Sequence, residues 1–198
     1  MATKTEVRRQ ELRESLIIIA ERTIAQKGLT ALRARDLAGE AGCAVGAIYN
    51  VFGDLTDLAL AVNARTFRRL GADVAEALAD APQDPVEQLV VMAQAYHRFA
   101  ARNLLSWRAL FDVERAPGEA APDWYLQEMG QLFTYISDPL AVIFPDRTPD
   151  DLALLTRALF SSVHGIVLLG LDEASAGVST DNIDRMIALV LKQFAASS

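Results

Sequence analysis

The sequence predicts an all-α protein of about nine helices. Apolar residues recur at intervals of three and four along most of the 198 residues, as they do on the buried face of a helix. No segment alternates apolar and polar residues in the manner of a half-buried strand. Glycine and proline interrupt the helical pattern at Gly28, at Gly42 and within the segments 81–85 and 116–122.

The first predicted helix is amphipathic and ends at Gly28. Apolar residues at helical spacing form one of its faces, and they include Leu12, Leu16, Ile19 and Ile24. We expect this face to form the core behind the two helices that follow.

Two short helices around a glycine turn are predicted between residues 29 and 52. Leu37 and Ala38 lie on one face of the earlier helix, and Gly42 supplies the permissive backbone at its end. The later helix covers residues 44–52. This pattern is a helix-turn-helix, with the motif at about 34–53, and the second helix of such a pair normally lies in the major groove of DNA. The sequence therefore predicts DNA binding.

A long fourth helix is predicted to start near Thr56, which would cap it, and to run toward Leu78. The segment 81–85 breaks the pattern. We accordingly assign residues 1–55 to a DNA-binding domain of three helices and residues 56–198 to a helical domain for ligand binding and dimerisation.

Three further helical segments bring aromatic residues and a few polar residues into the second domain. One segment begins at Pro85, and the other two cover residues 104–113 and 125–143. An apolar cavity of this composition suits a small organic effector, although an ordinary helical core has the same composition. The candidate ligand-binding residues are Tyr96, Phe99, Trp107, Phe111, Phe133 and His164. His164 is alternatively a histidine of the core or of an interface.

The last two predicted helices indicate a homodimer. The segment 150–171 is apolar around most of its circumference, so it must be covered on several sides. The segment 180–195, capped by Thr180 or Asp181, is apolar on one face. We expect both helices to pack against their symmetry mates as a four-helix bundle. A core helix inside one chain is the alternative.

The helix-turn-helix region resembles the TetR family of bacterial transcriptional repressors over roughly residues 10–65. The residues that carry the resemblance are Ala25, Gly28, Arg35, Asp36, Leu37, Ala38, Ala41, Gly42, Gly46, Ile48, Tyr49, Phe52 and Leu58. The pair His164 and Gly165, with Trp107 upstream, is similar to one C-terminal subgroup of that family. The resemblance implies a ligand-released repressor that acts as a homodimer on an inverted-repeat operator.

The resemblance also shows which DNA-contacting side chains this chain lacks. Where the family usually has a Ser cap, a Lys, a Thr and aromatic residues, this chain has Ala44, Val45, Ala47, Asn50 and Val51, and Leu55 replaces a further Lys. The candidate DNA-binding residues are Arg33, Arg35, Ala44, Val45, Ala47, Tyr49 and Asn50. Lys4, Arg8 and Arg9 in an N-terminal arm would add positive charge. Arg35 could instead pair with Asp36, and a helix-turn-helix that has lost DNA affinity is the competing interpretation.

Charge is distributed unevenly along the chain, whose net charge is −7. Residues 1–69 contain 11 Lys or Arg and 8 Asp or Glu, a balance of +3, whereas residues 70–198 contain 8 and 18, a balance of −10. An acidic C-terminal part would favour approach of DNA to the N-terminal end. Ordinary variation of surface charge is the alternative.

The remaining features exclude several classes of protein. No apolar run approaches the roughly 18 residues of a membrane span, and no signal segment follows the N-terminal charges, so we expect a cytoplasmic protein. One cysteine, Cys43, and two histidines offer no zinc-ligand spacing, and we expect neither metal nor cofactor. Cys43 fits a small packing residue between helices better than a redox thiol. No catalytic triad or phosphate-binding loop indicates an enzyme.

Overall fold

The computed structural model describes residues 3–115, 120–172 and 178–196. These residues form nine α-helices and one short 3₁₀ helix, without any strand, so the all-α prediction is confirmed. The α-helices are α1 (Lys4–Lys27), α2 (Ala34–Ala41), α3 (Val45–Val51), α4 (Leu55–Ala79), α5 (Pro85–Arg102), α6 (Leu104–Ala109), α7 (Asp123–Ile143), α8 (Pro149–Gly170) and α9 (Thr180–Ala195), and the 3₁₀ helix is Leu29–Ala31.

The chain forms two compact units. Unit 1 consists of Met1–Arg68 and Asn103–Leu126, and unit 2 consists of Arg69–Arg102 and Gln127–Ser198. This division reflects which residues pack together, and it passes through α4. The boundary predicted after residue 55 separates the DNA-binding part from the part for ligand binding and dimerisation, and it stays a prediction.

Unit 1 is built around one apolar core to which five helices contribute. Leu16 and Ile24 of α1, Leu37 of α2 and Ile48 of α3 are almost completely buried in it. The core also includes Leu58 of α4 and Ala109 of α6. Because the three N-terminal helices are covered by α4 and α6, residues 1–55 alone do not account for this core.

Two glycines with positive φ end the first two α-helices of unit 1. Gly28 follows α1 with φ 81° and donates its amide to the Ile24 carbonyl at 2.9 Å. Gly42 follows α2 in the left-handed conformation with φ 64°. Residues with a Cβ are strained at such angles, so the two glycines determine where these helices stop.

The start of α4 differs from the prediction. The helix begins at Leu55, so Thr56 lies inside its first turn and does not cap it. Asp54 takes that role, because its Oδ1 accepts the Asp57 amide at 2.8 Å. Asp57 Oδ2 in turn accepts the Gly53 amide at 3.1 Å, which secures the connection between α3 and α4.

In unit 2, α5 packs against both α8 and α9. The Thr148 hydroxyl caps α8 by accepting the Asp151 amide at 3.2 Å. For α9, Ser179 occupies the cap position and no side chain bonds there, so the prediction of Thr180 or Asp181 as cap was wrong. Lys192 of α9 pairs with Glu87 of α5 at 2.7 Å, which ties the two helices together.

One helix has the length and composition of a membrane span. Among the described residues this is α8, with a mean hydropathy of 1.8 over its most apolar window, of which 22% is buried. The bent pair of α3 and α4 would pass the same test as a single segment. Core helices of water-soluble proteins also have this length and composition, so the observation does not by itself indicate a membrane protein.

Candidate functional site

The helix-turn-helix consists of α2 and α3, held by the core of unit 1. Leu37 and Ala38 anchor α2, and Ile48 with the adjoining Phe52 anchors α3. Cys43, in the turn, is half-buried and packs against the same core, as a small packing residue would. With one face of α3 buried, its opposite face is available for contact with DNA.

The exposed face of α3 carries small apolar side chains, one aromatic residue and one amide. Tyr49 is 47% exposed, and the face also includes Ala44, Val45, Gly46 and Asn50. Ala47 is half-buried. Ala44 stands at the cap position of α3, where no side chain accepts a hydrogen bond. The predicted α3 contacts, apart from Ala47, are therefore solvent-exposed.

The two arginines at the start of α2 have different environments. Arg33 Nη1 donates to the Thr30 carbonyl at 2.6 Å and to the Leu32 carbonyl at 3.2 Å, so part of this guanidinium is engaged with the protein's own backbone. Arg35 is exposed and, within the part of the chain that the structure describes, forms no ion pair with Asp36. Adjacent helical residues point in different directions, which explains why this alternative pair does not form.

The predicted N-terminal arm is wrong, because Lys4, Arg8 and Arg9 belong to α1. Thr3 caps this helix by accepting the Glu6 amide at 3.2 Å, while the Glu6 carboxylate accepts the Thr3 amide at 2.6 Å. This reciprocal capping box starts the helix before the basic residues. Their charges are exposed on a helix rather than on an extended segment.

An aromatic cluster with two polar groups lies in unit 2, between α5, α7 and α8. The Tyr96 hydroxyl lies 2.8 Å from His164 Nδ1, within hydrogen-bond distance. Phe160 stacks on the His164 ring at 5.6 Å between centroids, and Phe133 meets Phe160 edge-on at 5.2 Å. Burial lowers the pKa of His164 below its usual 6.5, which favours the neutral form of the ring.

The structure divides the six predicted ligand residues between the two units. Tyr96, Phe99, Phe133 and His164 belong to unit 2, where Phe99 is buried in the core. Trp107 and Phe111 belong to unit 1, where their rings meet edge-on at 5.6 Å. Trp107 is fully buried and Phe111 is exposed.

Sequence reasoning missed two features of unit 2. Phe160 belongs to the aromatic cluster, and its position four residues before His164 on one helix was the signal for it. His97 is fully buried, and its Nδ1 donates to Asp184 Oδ1 at 2.8 Å, while its Nε2 has no hydrogen-bond partner among the described residues. His97 and Asp184 are separated by 87 in residue number, so their pairing leaves no local sequence signal.

A helix-turn-helix with an outward-facing second helix, attached to further helices, defines a class of DNA-binding regulators. Residues 89–194 match the family model of the tetracyclin repressor-like C-terminal domain, and residues 17–62 match that of the bacterial regulatory proteins of the tetR family. The chain therefore belongs to the TetR family and is a DNA-binding transcription regulator rather than an enzyme. The Trp107 and His164-Gly165 signature of a subgroup stays a prediction.

Solved structures share this fold along almost the whole chain. A protein of unknown function from Rhodococcus sp. RHA1 is 24% identical, with a TM-score of 0.73 and 94% of each chain covered. A tetR family transcription regulator from Shewanella sp. PV-4 is 13% identical, with a TM-score of 0.68, covering 92% of this chain and 97% of that one. RolR, in complex with resorcinol, is 20% identical, with a TM-score of 0.68 and coverages of 96% and 92%. No curated protein matches the chain.

Proposed function

We propose that this protein is a cytoplasmic repressor that binds an inverted-repeat operator as a homodimer and is released by a small organic effector. The observation that carries the proposal is the orientation of α3. This helix buries Ile48 in the core and exposes Tyr49 and Asn50 on its outward-facing side. The two-fold symmetry of a dimer would place two such helices in successive turns of the major groove.

The residues of α3 suit contacts with base edges more than contacts with phosphates. An Asn side chain such as Asn50 bonds adenine through two hydrogen bonds, and Val45 suits the methyl group of thymine. The Tyr49 hydroxyl can bond a phosphate while its ring lies against a sugar. Because these side chains carry no charge, the positive charge that neutralises the phosphates must come from residues outside α3.

Exposed leucines on α8 and α9 support the homodimer. Leu154 and Leu169 of α8 are 67% and 64% exposed, and Leu189 of α9 is 72% exposed. Ser161 and Ser162 on α8 are exposed as well, and a Cβ added at Gly165 would meet nothing within 4 Å. Leucines cover apolar area and small residues permit close approach, so a second copy of the same two helices fits this surface.

The aromatic cluster of unit 2 is the candidate effector site. Neutral imidazole and a phenol are hydrogen-bonding groups without charge, so the Tyr96 and His164 pair suits an uncharged ligand with a hydroxyl or carbonyl group. Phe133 and Phe160 supply aromatic surface for a ring. A small phenol meets both requirements, and RolR, a protein of the same fold, is known with resorcinol. Such a ligand would release DNA by binding one dimer geometry more tightly than the other.

A gel-shift titration with the DNA that flanks the protein's own gene tests DNA reading. We expect a saturable, sequence-dependent shift that Tyr49→Ala abolishes or weakens at least about tenfold, since a lost hydrogen bond to a charged group such as a phosphate costs about 1.5–3 kcal/mol. Trp124→Ala is the matched control, because Trp124 is 43% exposed but lies on α7. It should bind as the wild type does.

A second candidate function is a helical dimer that binds small molecules or proteins and has lost DNA affinity. It is favoured by the absence of any Lys or Arg from α3 and of a side-chain cap at Ala44. No shift by the wild-type protein at low salt, together with binding of a phenol detected by thermal shift, would support this candidate and contradict repression.

A further inference from the structure

The residue sequence of α3, VGAIYNV, contains no positive charge. Protein–DNA affinity depends on neutralising backbone phosphates, and a recognition helix without cations needs that charge from neighbouring elements. A cation that the protein itself holds against the end of α3 would supply this charge.

Arg13 of α1 meets this condition. Its guanidinium carbon lies 5.1 Å from the centroid of the Phe52 ring, and Phe52 is the residue that immediately follows α3. The ring is buried in the core, so the arginine is held against a fixed surface while remaining only half-buried itself. Positive charge is thereby placed where α3 ends, next to the exposed residues Gly53 and Asp54.

The contact with Phe52 leaves the hydrogen-bonding groups of Arg13 available. Attraction between a cation and a ring face uses none of the five guanidinium N–H donors. Among the described residues, the ion pairs of α1 join Arg22 to Glu40, and Glu14 and Glu21 to Arg65, and none involves Arg13. Asp54 and Asp57, which follow Phe52 in the chain, accept backbone amides of the α4 cap.

The length of α3 places its end near a phosphate backbone. Seven residues at about 1.5 Å each span roughly 10 Å, and the major groove is about 12 Å wide. When α3 lies in the groove, the chain that leaves it is therefore next to a groove wall. We propose that Arg13, oriented by Phe52, binds a DNA backbone phosphate at the C-terminal end of α3. This proposal rests on the proposed DNA-binding function.

The test measures how DNA affinity depends on salt for the full-length protein. Each phosphate contact contributes about −0.9 to the slope of log K against log salt, and a homodimer contains Arg13 twice. For Arg13→Met the slope should be less steep by about 2, and the wild-type advantage should shrink by about tenfold between about 50 and about 200 mM salt. The loss should be similar on the DNA flanking the gene and on a random duplex of equal length, because phosphates carry no sequence information.

Three further variants separate this role from packing. Methionine keeps a favourable contact with the ring, so Arg13→Met should fold, and Arg13→Gln provides a second neutral variant. Arg13→Lys retains the charge and should retain the wild-type slope. Lys27→Gln removes one charge from the C-terminal end of α1, away from Arg13 in the sequence, and should also leave the slope unchanged.

The outcomes distinguish the two proposals. A wild-type slope for Arg13→Met and Arg13→Gln would show that Arg13 only covers Phe52, and an equal change for Lys27→Gln would show a general effect of charge. Either result overturns the phosphate contact while leaving DNA binding intact. If the wild-type protein binds neither duplex at about 50 mM salt, the proposed function itself is wrong, and the role of Arg13 with it.

Discussion

The exposed face of α3 and the exposed faces of α8 and α9 are both rich in apolar side chains, but their chemistry differs. On α3 the apolar residues are small and stand beside Tyr49 and Asn50, which form hydrogen bonds. On α8 and α9 the most exposed large hydrophobic residues are leucines, whose side chains form no hydrogen bonds. A face that combines apolar and hydrogen-bonding side chains suits base edges. Leucine side chains, in contrast, lower the free energy of a complex mainly by being buried away from water. The exposure of apolar side chains therefore does not distinguish a DNA-binding surface from a protein-binding one. The hydrogen-bonding groups beside them do.

Charged substitutions on α8 and α9 should have the largest effect. Leu169→Asp and Leu189→Asp would each place a carboxylate twice in the proposed symmetric interface, and each lost leucine costs about 1.5–3 kcal/mol. We expect the dimer dissociation constant to rise at least about 100-fold, measured by sedimentation equilibrium, and operator affinity to fall with it. Leu126→Asp, which changes an exposed leucine of unit 1, is the control. A wild-type protein that is monomeric at micromolar concentration would contradict the difference drawn between the two surfaces.

A substitution at Gly46 should have opposite effects on stability and on DNA binding. A Cβ at this exposed helical residue meets nothing within 4 Å, so Gly46→Ala should stabilise the fold by about 0.5–1 kcal/mol in denaturant unfolding. The same Cβ would separate α3 from the base edges and weaken operator binding in a gel shift. Gly130→Ala on α7, where a Cβ also meets nothing, should stabilise without changing DNA affinity. Operator binding by Gly46→Ala as tight as the wild type would argue against close approach of α3 to DNA.

The pH dependence of stability should be the smallest effect, and it tests which side of α8 is interior. Because burial lowers the pKa of His164 below 6.5, the unfolded chain binds the proton first as the pH falls. The stabilisation is complete above about pH 6.5 and is lost as the pH falls toward the lower pKa of the folded state. We expect the Tm of the wild type to fall more than that of His164→Asn between about pH 7.5 and about pH 5.5. Tyr96→Phe retains the histidine and should retain the pH dependence, so equal profiles for all three proteins would place His164 in solvent.

Much of the fold could be predicted because its signals are local. Apolar spacing predicted the nine helices, and Gly28 and Gly42 stand where the backbone has positive φ. The caps were less predictable, because a shift of two residues in the start of α4 moves the role of cap from Thr56 to Asp54. The supposed arm failed for a similar reason, since the Thr3 and Glu6 capping box starts α1 earlier than its apolar pattern does.

The site could be predicted only in part. Helical periodicity indicates that Ile48 and Tyr49 point in different directions, and the structure buries Ile48 and exposes Tyr49. Periodicity does not reveal that Arg33 bonds its own backbone carbonyls, because that depends on the rotamer of one side chain. It also does not reveal the contact of Arg13 with Phe52, because those two residues lie far apart in the sequence.

The sequence by itself determined the helices, the glycine turn and the exposed character of α3, since these depend on the conformational preferences of neighbouring residues. Only the tertiary structure decided which distant side chains meet, including Tyr96 with His164, His97 with Asp184, and Arg13 with Phe52. The physical reason is that helix formation is governed by contacts within about four residues, whereas the orientation of one helix on another depends on how all their side chains pack.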